Sequence, residues 1–290
     1  MRTLILNSSN VVPNGFNDTY EFKFPQGAIT FKDDQIAVEA INIYFSWFNI
    51  TSSTTGSQYN NNTFSFVWYD ALGSTTYTVV LPDGYYEVSD LNAYIQFFCV
   101  SNGLYLIDAA GNYVYYLELV VNPTYYAVQF NSYPIPTALP LGWSNPGGIT
   151  FPAVATTPQL IVPSNNNFGK VIGYNPGTYP AVVQNFTYSA LSAFAPQVSP
   201  INSLIMTCSL LNNNYAVPNT LIYAFSPVGT KFGELISIQA QQFAFCDIYD
   251  GSYNFLRIQF FDQNLNRIYI NDPNVVILLV IGHKEQYVLK

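Results

Sequence analysis

The chain contains one histidine, His283, which follows an apolar run. Any Ser-His-Asp or Cys-His mechanism would have to use it as the base. No serine or cysteine lies in a nucleophile elbow of the form G-x-S-x-G, so His283 reads as a surface histidine at a strand end. The three cysteines, Cys99, Cys208 and Cys246, are odd in number, far apart and flanked by apolar residues such as Phe98, Met206 and Phe245. They read as buried free thiols of a protein made in a reducing compartment. No Cys/His cluster has the spacing of a zinc site, and neither a Walker A loop nor G-x-G-x-x-G occurs. The run Asp262-Gln263-Asn264-Leu265-Asn266 fits the first five positions of a calcium loop. The glycine required next is Arg267, and Pro273 replaces the closing bidentate acid. A hairpin turn is expected there instead, since Asp and Asn are turn formers. Nothing in the spacing marks Asp247 and Asp250 as ligands.

A pair of carboxylates for glycoside hydrolysis needs no local spacing. Glu21, Glu39, Glu87, Glu118 and Glu234 lie on or near strand-like segments, as such residues do in any β fold. Aromatic wealth can also mean a carbohydrate platform. Only three tryptophans exist, Trp47, Trp68 and Trp143, with Trp47 inside a long apolar segment; packing is the commoner fate of such rings. The expectation is therefore a protein that is not an enzyme, with no catalytic, cofactor-binding or metal-binding residue and no cofactor.

The elements that would position any site are mainly β. Tyr20–Phe24 alternates, placing Tyr20, Phe22 and Phe24 on one face. Gln35–Ile50 predicts a long strand, with Ile36, Val38, Ala40, Asn42 and Tyr44 on one side. Further strands are expected over 63–69, 76–81, 113–121, 125–130, 203–211, 221–225, 234–244, 255–261, 267–270 and 275–281. Turn signals at Asp83-Gly84, Gly111-Asn112, Asn122-Pro123, Asp250-Gly251 and Asp272-Pro273 separate them. One segment has helical spacing. Ser89 is its expected N-cap, Leu91, Tyr94, Ile95, Phe98 and Cys99 share a face, and Asn102-Gly103 stops it. Residues 134–200 are dense in proline, which removes ladder donors, so long loops or a small insertion are expected there. The domain reading is a jelly-roll core over 1–133 and 201–290, with 134–200 as a Pro-rich insertion.

Composition limits the partners. Only 9% of residues are charged, against about 25% in an average soluble domain. The surface must be built from Asn, Gln, Ser, Thr, Tyr and Gly, which is cheap to desolvate against other subunits. The net charge is −8. Arg2, Lys23, Lys32, Lys170, Lys231, Arg257, Arg267, Lys284 and Lys290 are scattered, so no phosphate-binding footprint forms and nucleic acid is not an expected partner. The start MRTLILNSSN lacks the apolar run of a signal peptide. The longest strongly apolar run, Val275–Ile281, is far short of the roughly 20 residues of a membrane-spanning helix. Asn-x-Ser/Thr triplets at Asn7, Asn17, Asn49, Asn61 and Asn185 are attributed to chance in an Asn/Thr-rich chain.

Four segments in order carry a resemblance. They are IAVEAINIYFSWFNIT (Ile36–Thr51), VVLPDGYYEVSDLNAYIQ (Val79–Gln96), KVIGYNPGTYP (Lys170–Pro180) and FLRIQFFDQNLNRIYINDPNVVILLVIG (Phe255–Gly282), about a quarter of the chain. Together they resemble the penton, or minor capsid, proteins of virophages and Polinton-like double-stranded DNA viruses. The last segment is also similar to the final strands of jelly-roll major capsid proteins, which are much longer when double. The resemblance implies an antiparallel jelly-roll β-sandwich with one short helix, and the surplus of strand candidates implies an additional β-rich insertion. It further implies a penton subunit at the five-fold vertices of an icosahedral capsid, located in the virion and assembled inside the host cell. The implied partners are itself, as a pentamer, and the major capsid protein, with a host receptor or glycan as a further one. The alternatives are a receptor- or carbohydrate-binding β-sandwich and a jelly-roll glycoside hydrolase.

Overall fold

A computed structural model describes residues 1–53 and 59–284; Lys290 lies outside them. The chain divides into two compact units, Met1–Trp47 with Ile201–Lys290, and Phe48–Pro200. In chain order the first unit opens with β1 (Arg2–Leu6), β2 (Thr19–Lys23), β3 (Ile29–Phe31) and β4 (Asp34–Tyr44). The second holds β5 (Thr63–Asp70), β6 (Gly73–Val80), α1 (Val88–Ser101), β7 (Leu106–Ile107), β8 (Tyr113–Val114), β9 (Leu117–Asn122), β10 (Ala127–Ser132), β11 (Gln159–Val162), α2 (Phe168–Ile172), β12 (Gly177–Tyr179) and β13 (Tyr188–Leu191). The first unit then resumes with β14 (Leu204–Cys208), β15 (Leu221–Phe225), β16 (Leu235–Gln239), β17 (Cys246–Asp247), β18 (Gly251–Tyr253), β19 (Phe255–Asp262) and β20 (Val276–His283).

Eight strands of the first unit form two four-stranded rows, β1-β20-β4-β16 and β15-β14-β19-β2. Every pairing is antiparallel. Taken in chain order, the first of the eight pairs with the last (β1 with β20) and the second with the seventh (β2 with β19). The third pairs with the sixth (β4 with β16), and the fourth with the fifth (β14 with β15). That is one long hairpin rolled on itself, the topology of a single jelly roll. Alternation drives it: Leu4 and Leu6 on β1, Ile277 and Leu279 on β20, Leu256, Ile258 and Phe260 on β19, and Leu204 and Met206 on β14 are buried. The Tyr20 ring meets Phe260 edge-on at 6.1 Å, a favoured aromatic geometry. The whole second unit is inserted between β4 and β14, the third and fourth strands of the roll.

This division corrects the sequence reading, which gave residues 48–133 to the jelly-roll core. They belong to the second unit. The boundary runs through Phe45-Ser46-Trp47-Phe48-Asn49-Ile50, which has no Pro/Gly linker composition to announce it. Phe45 and Trp47 are buried in one unit, and Ile50 in the core of the other.

β4 also departs from simple alternation. Leu278 pairs with Ala40 and Leu279 with Val38, so Glu39 is an extra residue, a β-bulge. The buried positions change phase across it, from Ile36 and Val38 to Ile41 and Ile43. The face expected to run from Ile36 to Tyr44 is therefore broken at Glu39.

The second unit has its own sheets, β12-β11-β5-β6 and β13-β10-β9, around a core containing Phe64, Phe66, Trp68, Phe130, Phe168 and Tyr174. The expected helix is α1, beginning one residue before Ser89. Asp90 in its first turn accepts the backbone N–H of Glu87 at 2.8 Å, so Glu87 is the cap. Val88, Leu91, Ile95 and Cys99 are its buried residues. Gly103, in the left-handed region at φ 70°, stops it and lies so close to Gly147 that a Cβ would fall 2.7 Å from the Gly147 carbonyl oxygen. A second helix, α2, lies in the Pro-rich stretch where none was expected; Phe168 stacks on Phe64 at 4.4 Å, and Gly173 closes the helix in the left-handed region.

Both ends of the insert are held by Asn49. Its Nδ2 donates to the carbonyls of Tyr86 (2.8 Å) and Val198 (2.6 Å), and its Oδ1 accepts the Tyr86 N–H at 2.8 Å. Asn61 Nδ2 donates to the Asn49 carbonyl, and Asn61 Oδ1 accepts from Thr51 N–H. Both side chains are buried, so two of the Asn-x-Thr triplets serve as internal hydrogen-bonding residues. Asn49→Ala leaves three backbone groups unpaired and is expected to destabilise the protein by on the order of 2–4 kcal/mol, read as a shift of the urea unfolding midpoint.

Candidate functional site

Most of the acids with catalytic potential are engaged in hydrogen bonds or ion pairs. His283 ends β20 in register with Asp34. Asp34 Oδ1 accepts from Arg2 at 2.9 Å. Glu21 pairs with Arg257 at 2.7 Å. Glu118 accepts from Asn131 and from the Tyr133 hydroxyl, and Glu234 accepts from the Lys231 N–H within its own turn. Glu39 is the bulge residue of β4 and Glu87 the cap of α1. Asp262 accepts the N–H groups of Asn264 and Asn266 and the Asn266 amide, an Asx turn that spends its oxygens on the backbone. Asp247 accepts from Gln35 and pairs with Lys284, and both hold its carboxyl below the usual range. Asp250 accepts the Asp33 N–H. Among the described residues no group of three or more His, Cys, Asp or Glu side chains could hold a metal ion.

The tryptophans are packing residues. Trp47 lies against Phe45 at 4.5 Å. Trp68 meets Tyr116 edge-on at 5.7 Å. Trp143 is half-buried against the core of the second unit.

Sequence reasoning missed the strongest charged cluster. Asp18 is 1% exposed and lies in the connection from β1 to β2. It accepts Arg267 Nε and a terminal guanidinium nitrogen, each at 2.7 Å, and also Asn14 and Thr19. The guanidinium lies 4.1 Å from the Phe16 ring centroid. Around it Ile270 N–H donates to the Phe16 carbonyl, and Asn17 Nδ2 to the Ile270 carbonyl. Residues 267–270, expected as a strand, are instead an irregular segment clamped to 14–18, with one isolated bridge from Arg267 to Phe261. A planar guanidinium fits this bidentate, ring-stacked place as no ammonium could. The only trace in the sequence was an arginine where a calcium loop needs glycine.

The first unit also offers surfaces to partners. In the row β1-β20-β4-β16 the two outer strands are unlike. Beside β1 a cleft of about 370 Å³ is lined by Arg2, Thr3, Leu4, Ile5, Phe22, Phe24, Pro25, Ile29, Phe31 and Ile281. Arg2 stands at it, 6.0 Å from the Phe31 ring. At the other edge Leu235 on β16 and the nearby loop residues Phe232 and Phe243 are exposed.

The fold thus defines a single jelly roll carrying a β-rich insertion. Compared with known proteins, the chain matches no family model and no curated protein. Among solved structures it is similar to the selenomethionine-labelled mavirus penton protein, with TM-score 0.42 and 9% identity over 97% of this chain and 96% of that one. It is similar too to a chain in the cryo-EM structure of the Sputnik virophage, with TM-score 0.40 and 13% identity over 99% of each.

Two predictions follow from the geometry of these groups. Arg267→Ala strands a buried carboxylate, and should destabilise the protein by about 3–4 kcal/mol, the lower part of the range for a broken buried pair because the guanidinium is partly exposed; calorimetry measures it. The thiols should divide two to one. Cys99 and Cys208 are buried and their thiols are pushed up to about 12 by burial, while Cys246 is half-buried and is raised too, by partial burial and by the neighbouring Asp247 carboxylate, but stays reachable by a reagent. In a thiol titration at pH 8, Cys246 should react in the native protein and the other two only on unfolding, since the thiolate is the reacting form.

Proposed function

We propose that the chain is a non-enzymatic structural protein of a virion, the penton subunit at the five-fold vertices of an icosahedral capsid. The observation that carries the reading is the complete single jelly roll, with its pairing of first strand to eighth through fourth to fifth. The four sequence segments that resemble pentons fall on both units, and the longest spans β19 to β20. A five-fold ring is heterologous, so each subunit needs two different patches that meet head to tail. The two edges of the β1-β20-β4-β16 row supply unlike surfaces of that kind: an aromatic cleft with Ile5 on one side, and Leu235 with Phe232 and Phe243 on the other. Few charges are desolvated when such edges meet, which suits a lateral contact. The major capsid protein is the neighbour expected outside the ring, and the virion is the expected location.

The test is made in the particle. Labelled copies should map to the five-fold axes, at about 60 per particle if every vertex is filled. Copies on the facets, or absence from the shell, overturn the reading.

A further inference from the structure

Two of the three cysteines stand on the two sheets of the jelly roll. Cys208 is the last residue of β14 and shares the buried face of Leu204 and Met206. Its partner across the ladder is Ile258 of β19, which is wholly buried. Cys246 opens β17 and lies opposite Ile36 of β4, also wholly buried. Directly opposite residues of an antiparallel ladder share a face, so both thiols look into the core, one from each sheet. The sheets come together between these two residues. After β14 the chain turns, with Leu211 N–H donating to the Cys208 carbonyl at 3.3 Å. It then runs antiparallel to the segment that starts with β17. Leu211 bridges Ile248, Asn212 N–H donates to the Asp247 carbonyl at 3.0 Å, and Tyr249 N–H to the Leu210 carbonyl at 3.0 Å. The strand that begins in the sheet of Cys208 thus ends beside the edge of the sheet of Cys246. In that register Asn213 falls opposite Cys246. Its Nδ2 stands 3.8 Å from the Cys246 sulfur and 3.2 Å from the Leu221 carbonyl. Leu221 pairs with Thr207, the neighbour of Cys208. One amide therefore reaches from the Cys246 sulfur to the strand pair that carries Cys208. Burial is the main cause that raises the Cys208 thiol, and charge on Cys246 raises it further, so the two sulfurs share one field.

We infer that Cys208 and Cys246 form a redox lock: a dithiol that closes into one disulfide between the two sheets when the protein passes from a reducing to an oxidising medium. The oxidant is a small disulfide of the glutathione class. Cys246 is half-buried and residues 241–244 before it are exposed, so it is the thiol that meets the oxidant. Its thiolate attacks one sulfur of glutathione disulfide, forming a mixed disulfide and expelling one glutathione thiolate. Cys208 gives its proton to solvent, and its thiolate attacks the Cys246 sulfur. The mixed disulfide breaks, the Cys208–Cys246 bond forms, and the second glutathione thiolate leaves. Two protein thiols are oxidised and one glutathione disulfide is reduced to two thiols. Closure brings the two Cα atoms to about 5.5–6 Å. β17 supplies the adjustment, being two residues long and paired with β4 alone among the strands. The bond ties β14, β15 and β16, the fourth to sixth strands of the roll, into one covalent loop, and such a loop narrows the unfolded ensemble.

The inference does not rest on the vertex reading and is tested on the full chain, folded and dilute. The protein is incubated at pH 8 with glutathione disulfide and quenched in acid, and its remaining thiols are alkylated in denaturant. Of the three thiols only Cys99 should remain. Digestion should yield the Cys208 and Cys246 peptides joined to each other and free of glutathione. Cys208→Ala should stop at the mixed disulfide on Cys246, and Cys246→Ser should keep both of its thiols. Circular dichroism checks that both variants fold; if Cys208→Ala does not, the peptide map of the parent and Cys246→Ser decide. The melting temperature of the oxidised parent should rise by roughly 5 °C and return on reduction. An alkylating reagent leaves no disulfide for Cys208 to attack, so in the reduced native protein it still finds Cys246 alone. A parent that stops at the mixed disulfide, dimerises through Cys246, joins either cysteine to Cys99, or closes the bond only in urea overturns the inference. So does a melting temperature that stays level or falls on oxidation, since the bond then strains the roll and does not lock it.

Discussion

The amide of Asn49 takes three hydrogen bonds with two parts of the chain that are more than a hundred residues apart, Tyr86 and Val198. Much else in the architecture depends on that junction. A jelly roll tolerates an insert of about 150 residues between its third and fourth strands only if the connection does not behave as a free loop of that length. Closing a flexible loop costs entropy that grows with its length. By fastening the chain near residue 49 to the chain near residue 198, the amide makes the insert a folded body with neighbouring ends. For β4 and β14 the connection is then short. Asparagine suits the task because its one side chain both donates and accepts, and because a neutral amide is less costly to bury than a charge.

The same economy runs through the molecule. With few charges to use, turns and junctions are closed by amides and hydroxyls. Asn61 ties Thr51 to Asn49, and Ser132 donates to Tyr116 and Pro158 across the second unit. Charge is used most heavily at Asp18 with Arg267, where the most deeply buried carboxylate of the described residues meets a guanidinium. It is tolerable because every contact is a charge-assisted hydrogen bond or comes from an adjacent polar side chain. The pair joins the link from β1 to β2 to the segment between β19 and β20.

Local periodicity made much of this legible in the sequence. Tyr20–Phe24 and Phe255–Phe261 alternate because each has one face in a core, and they and Leu221–Phe225 are strands within a residue or two of the expected bounds. What was not legible is what depends on partners distant in the chain. The bulge at Glu39 exists because of the register of β20. The unit boundary at Trp47 falls in an apolar run because both units bury their side of it. Arg267 revealed itself only through what it failed to be. Asn49 looked like a chance triplet, since nothing local tells a buried amide from an exposed one.

The rolled-hairpin pairing has a consequence for the order of folding. β1 leaves the ribosome before the second unit is made, and its partner β20 only after it. The second unit, by contrast, has all its strand partners between residues 63 and 191. It can be complete while the strands before it still wait, unpaired, for the rest of the roll. Non-local pairing of this kind closes slowly, and domains tend to fold as units during synthesis. The insert is therefore positioned to act as a folding platform: once formed, it delivers the growing chain at Ile201 beside the point where the earlier strands left off, and the roll winds outward from β4 and β14 until β20 meets β1.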